Sequence, residues 1–174
     1  MKSKKIVIGV CGSVAAIRVP ELIRELKRKG IGVQCVMSES AKSIIHPNVL
    51  EWASGNEVVT ELTGKVEYIE SLGVDGDASL LLICPATANT ISKIASGIDD
   101  TTVTTFATTA LGSKIPVVIV PAMHMSMYKN PFVAENIRRL KKIGVKFIEP
   151  KIEENKAKVP PKENIVNFIL KILK

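Results

Sequence analysis

The sequence predicts an α/β domain built on a doubly wound parallel sheet, with helices on both faces in three layers, α/β/α. Three observations carry this. Short β-branched runs alternate with stretches at helical spacing along the whole chain. Several of those runs are apolar without alternation, as strands covered on both faces must be. A chain of 174 residues with 46% hydrophobic and 24% charged side chains fits one packed domain.

Residues 5–10 (KIVIGV) read as the first strand, ending in Cys11-Gly12-Ser13. A helix is predicted from Val14 to Lys29. Val19, Leu22, Ile23 and Leu26 fall at i, i+3, i+4 and i+7, Pro20 lies in its first turn or kinks it, and Gly30 stops it. Residues 32–37 read as a second strand, followed by short helices at 39–45 and 47–54, the latter stopped by Gly55-Asn56. Residues 78–84 (ASLLLIC) are the most apolar strand and so belong at the centre of the sheet. A helix follows to Ser96-Gly97, and Asp99-Asp100-Thr101 caps the next, 102–111. Residues 116–120 (PVVIV) and 145–148 give two further strands around a helix at 131–143. Residues 151–161 are polar and proline-bearing and read as a mobile segment, before an amphipathic helix at 163–173. The whole of 1–174 is expected to form a single domain.

The formal net charge is +7, but it is concentrated at the ends. The first five residues and residues 151–174 each carry +3, which leaves +1 for the rest. With no central basic stripe and seven aromatic residues in all, no nucleic-acid partner is expected. No apolar run approaches the roughly 18 residues of a membrane span, and the start shows no secretory leader, so the expectation is a soluble, cytoplasmic protein with no membrane partner. Cys11, Cys35 and Cys84 end or interrupt apolar runs without CxxC spacing. They read as buried small hydrophobes, with no metal site.

In an open parallel sheet, ligands bind beyond the carboxyl ends of the strands. Here those ends are Cys11-Gly12-Ser13, Met37-Ser38-Glu39-Ser40, Pro85–Thr90 and Pro121–Met127, rich in glycine, hydroxyls and amides. Backbone N–H groups at a helix start together with Ser and Thr hydroxyls make a phosphate cradle. Neither GxGxxG nor GxxxxGK[ST] is present, so the site is neither the usual dinucleotide fingerprint nor a P-loop.

The order and spacing of GSVAA at 12–16, PELIREL at 20–26, ASGN at 53–56, PATANT at 85–90 and the PAMxxxM frame at 121–127 resemble the FMN-dependent cysteine decarboxylase (flavoprotein) superfamily, which includes phosphopantothenoylcysteine decarboxylase. The resemblance covers residues 5 to about 150. It implies a Rossmann-like fold, FMN as cofactor and a homo-oligomer, a trimer or a multiple of one, with FMN at the subunit interface. It also implies a phosphorylated small-molecule substrate and a carboxy-lyase activity in coenzyme A biosynthesis, either as a separate decarboxylase or as the decarboxylase half of the bifunctional coenzyme A biosynthesis flavoprotein, with the ligase half elsewhere, such as on a separate protein. In that family the substrate thiol is oxidised by the flavin, the carboxylate leaves as carbon dioxide, and the enethiolate is reduced.

Carried over by position, Gly12, Ser13 and Ser38 would hold the phosphate side of FMN. Ala86, Thr87, Asn89 and Thr90 would line its ribityl chain and ring. Met123 and Met127 would lie beside the substrate. Three positions depart from the family pattern. The catalytic-histidine frame reads Glu67-Tyr68-Ile69, the asparagine that contacts the substrate carboxylate is His124, and the flap-like stretch 153–161 has no cysteine. Tyr68 and His124 are therefore the candidate catalytic side chains. A phenol is a poor base near neutral pH, whereas an imidazole is not. The same frame would also suit an electron-transfer flavoprotein, a flavin-dependent reductase or a non-catalytic flavoprotein subunit.

Overall fold

The computed structural model describes residues 4–174. Met1–Ser3, part of the basic start, lies outside the described residues. Five parallel strands form the main sheet: β1 (Lys5–Val10), β2 (Gly32–Met37), β3 (Leu81–Ala86), β4 (Val117–Pro121) and β6 (Lys146–Phe147). Their order is β2-β1-β3-β4-β6. β1 pairs with β2 from Lys5 opposite Gly32 to Val10 opposite Met37. On its other side β1 pairs with β3, Val7 lying opposite Leu81.

Side chains alternate between two cores, as the period of a strand requires. Ile6, Ile8 and Val10 of β1, with Leu82 of β3 and Val118 of β4, face one layer. That layer is built from α1 (Val19–Arg28), α3 (Pro47–Ser54) and the last helix, α9 (Lys162–Ile172). Val7, Leu81, Ile83 and Ile119 face the other, built from α4 (Glu67–Leu72), α5 (Ala88–Ala95), α6 (Thr102–Gly112) and α8 (Pro131–Lys142). This is the expected three-layer arrangement.

Local differences from the sequence reading have local causes. The first long helix is split into a 3-10 turn, Val14–Arg18, and α1. Pro20 has no N–H to continue the earlier turn, and it sits in the first turn of α1, where none is needed. Strand β3 begins later than expected and runs through Pro85, although it is a central strand. Its register against β4 shifts between Ile83 and Ala86, so the missing proline donor falls where the ladder is already interrupted. The short helix after β2 stops early, as α2 (Glu39–Lys42). Asn56 ties the end of α3 to the sheet, its side-chain amide donating to the Val33 carbonyl at 2.7 Å.

The polar segment at 151–161, expected to be mobile and flap-like, contains a hairpin of β7 (Lys151–Glu153) and β8 (Lys156–Lys158). Its two turn residues, Glu154 and Asn155, both have positive φ, the backbone that a tight two-residue hairpin loop demands. β8 also pairs antiparallel with β5 (Met123–His124), which leads directly into α7 (Met125–Tyr128). The resulting sheet, β5-β8-β7, projects beside the carboxyl end of β4.

All three cysteines are buried and unpaired. Burial pushes the Cys35 and Cys84 thiols up to about 12. It raises Cys11 to about 11, partly offset there by hydrogen bonds with the Thr90 side chain and the Thr87 backbone. A group whose acidity is weakened by folding stabilises the fold while protonated. As pH rises above 9.0, the ordinary thiol value, the unfolded chain releases thiol protons that the folded chain keeps, so stability must fall. The expected result is that a thiol-reactive dye labels none of the three cysteines of the native protein at mildly alkaline pH and all three after denaturation. Rapid labelling of the native protein would contradict their burial.

Candidate functional site

The chain leaves β1 for one side of the sheet and returns through β3 on the other, so the point where the winding reverses lies between the carboxyl ends of these two strands. Crossover connections diverge there and leave a crevice. A cleft of about 500 Å³ opens at this position, within the usual range for small-molecule sites. Gly12, Ser13 and Thr87 form its floor, Met123, His124 and Met127 one wall, and residues 156–159 of the hairpin another. The 3-10 turn contributes Val14, Ile17 and Arg18.

The floor is made by two helix starts. Ser13 caps the 3-10 turn by accepting from the Ala15 N–H at 3.4 Å. Thr87 caps α5 by accepting from the Thr90 N–H at 3.3 Å, and its hydroxyl donates to Thr90 Oγ1, also at 3.3 Å. Gly12 cannot be replaced without displacement: an added Cβ would lie 2.5 Å from Ser40 Oγ. That close approach brings the β1 and β2 ends together, where Ser38 Oγ and Ser40 Oγ are 3.2 Å apart and the Ser38 N–H donates to the Val10 carbonyl. Thr102 at the start of α6 donates to the Met37 carbonyl at 2.5 Å and braces the same corner. Hydroxyls and backbone N–H groups gathered at helix starts, with no carboxylate lining the cleft, suit a bound phosphate.

The expected cofactor residues divide. Gly12, Ser13 and Thr87 line the cleft, and Ser38 stands behind Gly12 on Ser40. Ala86 is fully buried in the core, and its carbonyl accepts from the Ala122 N–H, so its side chain has no access to a ligand. Thr90 is buried beside Cys11, while Asn89 is exposed on α5 outside the cleft lining.

The two candidate catalytic side chains are not brought together within the chain. His124 lines the cleft from β5. Tyr68 lies on α4 and packs edge-on against Phe106 of α6, ring centroids 6.3 Å apart, and is not among the cleft-lining residues. Its neighbour Glu67 accepts from the Thr63 hydroxyl, which anchors the start of α4. Just before that helix, Val66 has φ 50°, an unusual backbone for a β-branched residue.

Sequence reasoning missed Arg18, Lys156 and Lys158 as cleft residues. Surface cations carry no positional signal, and the hairpin that delivers two of them was not anticipated. A weak signal existed at Val14 and Ile17, apolar residues on the face of the predicted helix opposite Val19, Leu22, Ile23 and Leu26, and 71% and 59% exposed in the structure. Among the described residues no cluster fit to hold a metal is present, and no helix is long and apolar enough to cross a membrane.

Comparison with known proteins bears on this geometry. The Flavoprotein family model matches residues 1–174. A coenzyme A biosynthesis bifunctional protein CoaBC of Thermococcus kodakarensis is 56% identical over 171 residues, 98% of this chain and 42% of that protein. The chain thus spans about two fifths of the length of the bifunctional relatives it matches. A probable phosphopantothenoylcysteine decarboxylase of Streptococcus mutans serotype c is 37% identical over 151 residues, covering 86% of this chain and 84% of that one. Among solved structures, the FMN-dependent cysteine decarboxylase SpaF superimposes with a TM-score of 0.84 at 28% identity, covering 99% of both chains. The matching motifs, the strand order and these likenesses together place the chain in the Flavoprotein family.

Proposed function

We propose that this chain binds FMN and acts as a carboxy-lyase on phosphopantothenoylcysteine, releasing carbon dioxide and 4′-phosphopantetheine in coenzyme A biosynthesis. The observation that carries the proposal is the cleft at the winding reversal. Phosphate-suited donors form its floor, and a wall of Met123, His124 and Met127 faces them. The relatives named as decarboxylases support the same reading.

Gly12 and Ser13 would seat the cofactor phosphate, with Ser38 and Ser40 fixing the loop behind them. Thr87 and Thr90 order the start of α5 along the ribityl side. Asn89 reaches the cofactor only if it extends beyond the cleft, and Ala86 acts through the backbone of the strand end. FMN, when bound, supplies the reversible two-electron oxidation that loosens the carboxylate of a thiol-bearing substrate. His124 would orient that carboxylate and hold a proton at an imidazole nitrogen, and the methionines would exclude water around the thiol.

The rim of the cleft leaves Val14, Ile17 and Met127 exposed, three apolar side chains beside a ligand site. A closed trimer or a multiple of it would cover them and would bring Tyr68 of a neighbouring copy toward the cleft. The hairpin at 151–158 would then act as a flap over the bound substrate, and a separate ligase protein or domain would supply that substrate. The same reading has the chain work in the cytoplasm.

Three outcomes follow. Purified protein should be yellow and release noncovalent FMN on denaturation; a colourless protein that takes up no FMN on reconstitution would refute the proposal. Light scattering should give a mass three times that of the chain, or a multiple of that; an FMN-loaded monomer would exclude the shared site. Tyr68→His should raise the decarboxylation rate by about 10²–10⁴, the usual worth of a positioned acid or base, and leave FMN affinity within about twofold. If that variant stays inactive while its flavin still accepts electrons from a reductant, the redox-carrier reading replaces the decarboxylase.

A further inference from the structure

His124 and Lys156 are direct partners across the antiparallel pair of β5 and β8, and both line the cleft. Residues directly opposite on such a pair project from the same face with Cβ atoms about 4.5–5.5 Å apart. The strand pairing therefore sets an imidazole and an ammonium side by side over the ligand space. The neighbouring cation, Lys158, is engaged by Glu153 and Glu154 at 3.3 and 2.5 Å. On its other side Lys156 stands opposite Glu153 of β7, but that carboxylate is engaged by Lys151 and Lys158. Lys156 takes part in no ion pair among the described residues, and no Asp or Glu lines the cleft.

We propose that Lys156, paired with His124, is the seat for the substrate carboxylate and a specificity-determining residue for acids over their decarboxylated counterparts. This rests on the carboxy-lyase reading above. A carboxylate accepts hydrogen bonds at two oxygens and is held most strongly by charged donors. The hairpin supplies an ammonium and β5 an imidazole beside it. The arrangement has a kinetic corollary. The negative charge leaves the carboxylate as carbon dioxide forms, so the ammonium favours bound substrate over the transition state. Removing it must raise KM without lowering kcat.

The test uses the FMN-loaded full chain and two unreactive probes that lack the thiol. 4′-Phosphopantothenoylserine keeps the carboxylate, and 4′-phosphopantothenoylethanolamine lacks it. Calorimetric titration should show the unmodified protein preferring the serine probe. Lys156→Gln should weaken that probe about tenfold and the ethanolamine probe by less than about twofold. Lys156→Arg should restore the preference, and Lys151→Gln, on the same hairpin but outside the cleft, should leave it intact. With phosphopantothenoylcysteine as substrate, Lys156→Gln should raise KM without lowering kcat. An unaltered preference in Lys156→Gln overturns the proposal. So does equal weakening of both probes, which would assign the lysine to the phosphate, and so does loss of FMN, which would assign it to the cofactor. Binding of neither probe by the unmodified, FMN-loaded protein refutes the carboxy-lyase reading itself, and the carboxylate seat with it.

Discussion

The burial of the sheet on both faces governs everything else in this fold. β1, β3 and β4 are apolar at nearly every position, so no face of the sheet can meet water. Each needs helices above and below. Parallel neighbours can be joined only by crossovers, and the crossovers supply those helices. Once the winding runs from β1 to β2 on one side and to β3 on the other, a crevice at the carboxyl ends is unavoidable. The cleft is thus a by-product of covering a two-faced sheet, and its chemistry comes from the few residues that turn the chain at that edge.

Those residues are small because the loops crowd one another. Gly12 lies against Ser40, and Ser40 against Ser38, so three positions from two loops form one packed corner. Beside the neutral donors of this floor the cleft carries cations, Arg18 from the adjoining 3-10 turn and two lysines across from it. Hydroxyls and backbone N–H groups come from the main sheet, whereas Lys156 and Lys158 come from the appended hairpin. Lys158 ion-pairs with Glu153 and Glu154 of its own hairpin, whereas Lys156, also opposite Glu153, forms no ion pair among the described residues.

Much of the fold was legible because burial dictates pattern. β1, β2, α3 and α6 lie where their apolar runs and caps place them. β3 shifted because proline normally ends a central strand, and only the register slip against β4 accommodates Pro85. α4 gave little signal, being only six residues long, too short to show a helical period. The 151–158 hairpin was invisible for a different reason: it is mostly charged, and its turn uses Glu154-Asn155 in place of a glycine-bearing pair. In the site, Gly12, Ser13 and Thr87 were readable as strand-end residues. The burial of Ala86 was not, since adjacency in sequence does not reveal which face a strand residue takes. Lys156 becomes a neighbour of the cleft only through the pairing of β8 with β5, and Arg18 because the chain after Ser13 starts as a 3-10 turn and not as the long helix its spacing suggests.

The hairpin's attachment to β5 has a consequence for how ligand and fold are coupled. The cleft draws its floor from residues 12 and 13 and one wall from residues 156–159, nearly the whole described chain apart in sequence. No fragment that stops short of the hairpin carries both. A molecule held there is bound by the native state and not by partly folded forms, so its binding free energy adds to the cooperative stability of the entire domain. Occupancy of this crevice would then also set how long the chain survives proteolysis.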